Sequence, residues 1–165
     1  MKKLIFGLHG KVLVIGKKLE PLALVLLRIA VGMVFVQTGW AKLHDLFTFQ
    51  TYFKSLGIPF PEIQAPFVAC LEFGGGLCML LGLGTRYLSV PLAGTMVVAI
   101  LTAKVKWVET PETPKTEFLD LFNFDEYTYL TIFLVLALLG AGAWSVDAIL
   151  KKKVYDKLAP PAAPN

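Results

Sequence analysis

The chain has 165 residues, 56% of them hydrophobic and only 17% charged, and its mean hydropathy is +0.66, which is too apolar for an ordinary soluble domain of this size. The net charge of +4 comes from lysines beside apolar runs, not from a basic stripe interleaved with aromatics. That pattern suits lipid headgroups and points to no nucleic-acid partner. Cys70 and Cys78 stand eight positions apart on one expected helix and cannot bridge each other within it. With no CxxC and no metal-ligand spacing of His, Cys or Asp, thiol exchange, a metal site and an intrinsic cofactor are unsupported, and both thiols read as buried bystanders.

In chain order, residues 1–20 form a basic segment in which Lys2, Lys3, Lys11, Lys17 and Lys18 surround short apolar stretches broken by Gly10 and Gly16. It lacks the long apolar core and cleavage pattern of a secretory signal, and reads as an amphipathic segment lying on headgroups. Four apolar runs then reach about the 20 residues a spanning helix needs: residues 21–43, 64–84, 87–105 and 127–150. Pro21 suits the first turn of its helix, Gly82 and Gly84 close the second, and Pro91 kinks the third. The expected fold is therefore all-α, an integral membrane four-helix antiparallel bundle over residues 21–150. Residues 151–165 follow as a basic, then Pro/Ala-rich tail, unstructured from Ala159 on. Between the runs, Phe47, Phe49, Tyr52, Phe53 and Leu56 recur at near-helical spacing before Gly57-Ile58-Pro59-Phe60-Pro61, which predicts an interfacial helix and a turn. Phe118, Leu119, Leu121, Phe122 and Phe124 predict a second aromatic interfacial segment.

Orientation follows from lysine and arginine in the flanks. One side holds Lys2, Lys3, Lys11, Lys17, Lys18, Arg86, Lys151, Lys152, Lys153 and Lys157, the other only Lys42, Lys54, Lys104, Lys106 and Lys115. The richer side is expected to be cytoplasmic, with both termini.

The polar residues inside the runs are the candidate site. Glu72 is the only charge in the second run, and an ionisable group near mid-membrane costs roughly 2.5 to 3.5 kcal/mol on insertion scales, so it demands a partner or a task. It shares a helix face with Ala65, Ala69, Gly76 and Met79. On the first helix Arg28, Gly32, Phe35, Gly39 and Lys42 share one face, while Gln37, Trp40 and His44 lie roughly opposite. Placing Arg28 about 10 Å from one boundary and Glu72 about 15 Å from the other, in a layer about 30 Å thick, leaves a height difference of about 5 Å that an arginine spans. An Arg28–Glu72 ion pair is expected, either fixing helix register or bordering a pocket for a polar head group such as a quinone carbonyl. Lys42 and His44 read as boundary residues, and Asp147 as a local salt-bridge partner of Arg86 or Lys151 to Lys153 that also lies within reach of Arg28. The small residues Ala137, Gly140, Ala141 and Ala148 of the fourth run predict a close-packing stripe.

Leu27-Arg28, Gly39-Trp40-Ala41-Lys42-Leu43, Gly57-Ile58-Pro59-Phe60-Pro61, Leu71-Glu72-Phe73-Gly74-Gly75-Gly76, Gly82-Leu83-Gly84-Thr85-Arg86 and Gly140-Ala141-Gly142-Ala143-Trp144-Ser145-Val146-Asp147 follow one another in order. Together they resemble the DoxX family of small bacterial inner-membrane proteins over most of residues 21–150. The resemblance implies a four-helix membrane bundle and a link to quinone-linked oxidoreductase systems, in which a partner subunit supplies the redox centre. It leaves the reaction, and whether the chain is itself an enzyme, open. Two other functions fit the residues: a membrane scaffold docking soluble oxidoreductases on its lysine-rich face, and a small-solute or proton permease.

Overall fold

The apolar runs fold as helices in a computed structural model that describes residues 2–104 and 122–158, with side chains described for 13–103 and 122–154; no strand occurs among the described residues. The first helix, α1 (Lys2–His44), is a single 43-residue rod. Pro21 was expected to open it but lies inside it. The proline removes only the bond to the carbonyl of Lys17, an exposed position where solvent can supply the missing donor. The basic segment 1–20 therefore runs directly into the first apolar run.

A helix is present where the aromatic spacing predicted one, α2 (Leu46–Ser55), started by Asp45, whose side chain accepts from the Thr48 amide at 3.1 Å. A turn through Gly57 (φ 72°) leads into α3 (Pro61–Leu81). α3 ends as the glycines predict: Gly82 is left-handed, and the amides of Leu83 and Gly82 return to the carbonyls of Cys78 and Met79 at 2.9 and 3.1 Å. Next, α4 (Thr85–Ala99) carries Pro91 internally and runs on as a π-helical turn, Ile100–Lys104.

The fourth run departs from expectation. In place of one helix over 127–150 there are two, α5 (Asp125–Leu139) and α6 (Val146–Leu158), separated by a break at Gly140 (φ 82°) and Gly142 (φ 77°). Two positive-φ glycines so close together cannot continue a right-handed helix, so the predicted small-residue stripe does not form. At 15 residues, α5 is only about 22 Å long. Among the described residues, three helical stretches are long and apolar enough to cross a membrane: Leu13–His44, Pro61–Leu81 and Thr85–Ala103.

The closest packing joins α1 to α3. A Cβ added at Gly76 would stand 2.7 Å from the Val36 amide nitrogen and 3.0 Å from the Gly32 carbonyl, and one at Gly39 would strike the Phe73 backbone. Glycine on both helices lets the backbones touch, the arrangement that small residues permit in membranes. The core around this seam holds Leu24, Val31, Phe35, Met79, Leu92, Met96, Phe133 and Leu136. Phe35 stands edge-on to Phe133 (4.9 Å) and Tyr129 (5.5 Å), contacts worth about 0.5 to 1.5 kcal/mol each beyond burial. α5 completes this core against α1 and α4. The expected Glu72 face is buried throughout, at Ala65, Ala69, Glu72, Gly76 and Met79. The cysteines depart from expectation: Cys70 is exposed and Cys78 half-buried, because both lie off that face. Phe118, Leu119 and Leu121 fall outside the described residues. Phe122 is exposed and meets Tyr127 edge-on at 4.9 Å.

Candidate functional site

The glycine seam fixes which residues of α1 and α3 stand level. Gly39 meets Phe73, Val36 meets Gly76, and Arg28 meets Gly82. Arg28 therefore lies ten positions from Glu72 along α3, about 15 Å of helical rise, and the expected Arg28–Glu72 pair does not form. The partner of Glu72 is Lys42, one of the residues assigned to the boundary. Lys42 Nζ lies 2.7 Å from Glu72 Oε1 and 2.5 Å from Oε2. The carboxylate is nearly buried, with 3% of its side chain exposed against 29% for Lys42. Thr38 adds a long hydroxyl contact to Oε2 at 3.4 Å, shared with the Phe35 carbonyl.

Lys42 also ties in α2, since its Nζ sits 4.9 Å from the centre of the Phe49 ring, a cation–π contact worth about 0.5 to 2 kcal/mol. Phe49 in turn packs edge-on against Phe53 at 4.5 Å, and Phe53, Ile58 and Ala65 form a second small core. The aromatic helix that read as an interfacial anchor is thus also a wall of the site.

These groups border a cavity of about 500 Å³, within the range of small-molecule sites. α2 contributes Phe49, Tyr52 and Phe53; α3 contributes Gln64, Phe67, Val68, Leu71 and Glu72; α4 and its π turn contribute Pro91, Gly94, Thr95, Met96, Val98 and Thr102; Glu126 reaches in from α5. The Lys42 ammonium divides its contacts between the Glu72 carboxylate and the Phe49 ring face. The space is largely apolar and aromatic-walled, with the Lys42 ammonium and the Glu72 carboxylate in its lining. Among the described residues no group of three His, Cys, Asp or Glu side chains gathers that could hold a metal.

Arg28 belongs to a different arrangement. It is 2% exposed. Its Nη2 donates to the Trp144 carbonyl at 2.6 Å and its Nε to the Leu24 carbonyl at 3.4 Å, while Nη1 has no hydrogen-bond partner. A Cβ on Gly82 would collide with Nη1 and with Ser145, so the guanidinium is wedged between the α3–α4 turn and the α5–α6 break. The break leaves carbonyls without helical partners, and side chains supply donors to them. Arg28 serves Trp144, the Ser145 hydroxyl donates to the Gly142 carbonyl at 2.7 Å, and Arg86 Nη2 donates to the Leu139 carbonyl at 3.1 Å.

Asp147 departs from its expected salt bridge. Its Oδ1 accepts from the Gly84 amide at 2.7 Å and its Oδ2 from the Thr85 amide at 3.2 Å, capping α4 from across the turn, and its own amide donates to the Gly82 carbonyl at 3.1 Å. Gln37, Trp40 and His44 lie away from the cavity and are exposed. Trp40 packs near His44 (4.1 Å) and Phe73 (5.5 Å), and His44 Nδ1 lies 3.0 Å from the Trp40 carbonyl. Of the seven expected site residues, the structure brings only Lys42 and Glu72 together at the cavity.

A family model described as DoxX matches residues 23–105, which include Arg28, Lys42 and Glu72. The chain belongs to the DoxX family. Among curated proteins it is similar to the inner membrane protein YqjF of Escherichia coli (strain K12), with 32% identity over 83% of this chain and 98% of the relative. It is also similar to a Bacillus subtilis (strain 168) protein named "Putative oxidoreductase CatD", with 31% identity over 77% of this chain and 86% of the relative. The inner membrane protein YphA of Escherichia coli (strain K12) shares 27% identity over 78% of this chain and 90% of the relative. No solved structure matches the chain. DoxX membership and the apolar helices make this a membrane-embedded protein in contact with lipid.

Proposed function

We propose that this DoxX protein is a multi-pass subunit of a quinone-linked oxidoreductase system in the bacterial inner membrane, with a quinone ring held in the cavity beside Lys42 and Glu72 and a partner subunit supplying the redox centre. The observation that carries this reading is the apolar cavity of about 500 Å³ with a lysine–glutamate pair in its wall. Lys42 donates to a ring carbonyl, Glu72 holds the ammonium in place, and Phe49 and Phe53 pack beside the ring and keep water out. A bound quinone would supply two-electron, two-proton carrier chemistry. In this reading α5 and the break after it complete a fourth crossing, and both termini face the cytoplasm, as the lysine and arginine bias favours. A relative named as an oxidoreductase is consistent with redox work.

The test is quantification of quinone in organic extracts of protein purified in native lipid discs, alongside Glu72→Gln and Lys42→Met. Near-stoichiometric quinone in the parent and bulk-lipid levels in both variants are expected. Bulk-lipid levels in all three would remove the quinone assignment.

A further inference from the structure

The cavity beside Lys42 and Glu72 is open on the side away from α1. Pro91, Gly94, Val98 and Thr102 line it from one face of α4 and its π turn, and all four are also exposed. Phe67 does the same from α3, lining the cavity while 62% exposed. Residues that both line a cavity and reach the surface mark its mouth. Tyr52 of α2, 47% exposed, marks one end of this mouth, and the rest is a slot between α3 and α4, two stretches apolar enough to span a membrane, so the slot faces hydrocarbon. The helices on its two sides can stand apart because each packs mainly elsewhere, α3 on α1 and α4 on α5.

Gly94 stands at this mouth without a packing reason to be glycine. Among the described residues a Cβ there would meet nothing within 4 Å, and its φ lies outside the left-handed range. Glycine inside a helix costs about 0.5 to 1 kcal/mol relative to alanine, so the position sacrifices helix stability for an open wall.

We propose that the slot between α3 and α4 at Gly94 is a subsite for a hydrocarbon tail. The ligand is then a lipid-borne molecule whose acceptor-bearing head sits at Lys42 and Glu72 and whose isoprenoid or acyl-type chain leaves sideways into the bilayer past Gly94. This rests on the quinone reading for the head group and makes Gly94 a specificity-determining residue. A chain that stays in the slot at equilibrium needs that space, whereas a head group without a chain does not.

The experiment compares a decyl-tailed benzoquinone with the same ring carrying only a methyl group, by equilibrium binding in lipid discs at matched membrane concentrations. In Gly94→Leu the tailed quinone should lose about tenfold in affinity while the tail-less ring stays within about threefold. Unchanged binding of both, or equal loss of both, overturns the tail subsite. Val98→Phe, which narrows the same slot about one turn on, replaces Gly94→Leu if that variant is recovered poorly. Should the parent bind neither quinone, the quinone reading falls and a second measurement decides the slot. Thr95→Cys, placed in the cavity wall of a Cys70→Ala, Cys78→Ala chain, is reacted with a long-chain alkyl maleimide dissolved in the lipid. Reaction about tenfold slower with Gly94→Leu supports a slot open to lipid, on the same scale of apolar space lost, and equal rates overturn it.

Discussion

The two ends of the α1–α3 seam each bury a cation of α1, and they differ in everything around it. At one end Lys42 meets a carboxylate, keeps 29% of its side chain exposed, and borders a cavity of about 500 Å³. At the other Arg28 hydrogen-bonds backbone carbonyls, lies near the Asp147 charge and is 2% exposed, pressed between Gly82 and Ser145. A charge inside an apolar helix therefore has two distinct uses here. Lys42 ties three helices together at the wall of a cavity. Arg28 turns its shortest hydrogen bond on a helix break that the chain itself creates. The planar, forked guanidinium suits the second task, because it satisfies carbonyls on separate elements, while the compact ammonium suits the first.

The largest expected effect comes from the seam that positions both ends. Gly76→Leu would drive a side chain into the Val36 and Gly32 backbone, which cannot move aside as a flexible side chain could. Loss of folded, monodisperse protein is expected, read by size-exclusion chromatography and thermal melting in detergent. A normally melting Gly76→Leu variant would mean that the two helices do not approach at this glycine.

Removing Lys42 comes next. Lys42→Met leaves Glu72 buried without its cation and should cost about 2 kcal/mol, below the roughly 3 to 5 kcal/mol of a fully buried pair because Lys42 is partly exposed. The double variant Lys42→Met, Glu72→Leu should regain most of that stability without regaining ligand. Recovery of ligand in the double variant would show that the pair is a structural tie alone.

Arg28→Met should be milder, about 1.5 kcal/mol from the orphaned Trp144 carbonyl, and should leave ligand content at the Lys42 end unchanged. Ligand loss in Arg28→Met matching that of Glu72→Gln would erase the division between the two ends.

Much of this organisation is legible in the residues, and the errors have a common physical origin. Hydropathy located the apolar helices, Gly82 and Gly84 their turn, and helical periodicity the buried faces of both α1 and α3. Lys42 even stood on the predicted Arg28 face. The pairing went astray because depth was counted from assumed membrane boundaries. The actual level of each residue is set by backbone contact at Gly32, Gly39 and Gly76, and matching glycines across the two runs would have put Lys42, not Arg28, beside Glu72. The break in the fourth run was hidden by its composition: residues 127–150 are apolar enough to suggest one helix, and only the Gly140-Ala141-Gly142 spacing hinted otherwise. The cavity was not legible at all, since it depends on α2 folding back over α3 and on α4 standing away from it.

The smallest effect sharpens the Arg28 end. Asp147 is the one carboxylate there whose two oxygens both receive backbone amides, those of Gly84 and Thr85, at the start of α4. Two contributions are mixed in that cap: the hydrogen bonds themselves, and the attraction of a negative charge to the positive end of the helix. Asp147→Ala removes both and should cost about 1 kcal/mol. Asp147→Asn keeps an acceptor oxygen but not the charge, and should cost about half as much. Thermal melts at low and high salt separate the two, because only the charge contribution is screened. If Asp147→Asn proves as damaging as Asp147→Ala, and salt changes neither, the second amide bond matters more than the charge. The turn at Gly82 to Thr85 is then held by geometry, as Arg28 holds the break beside it.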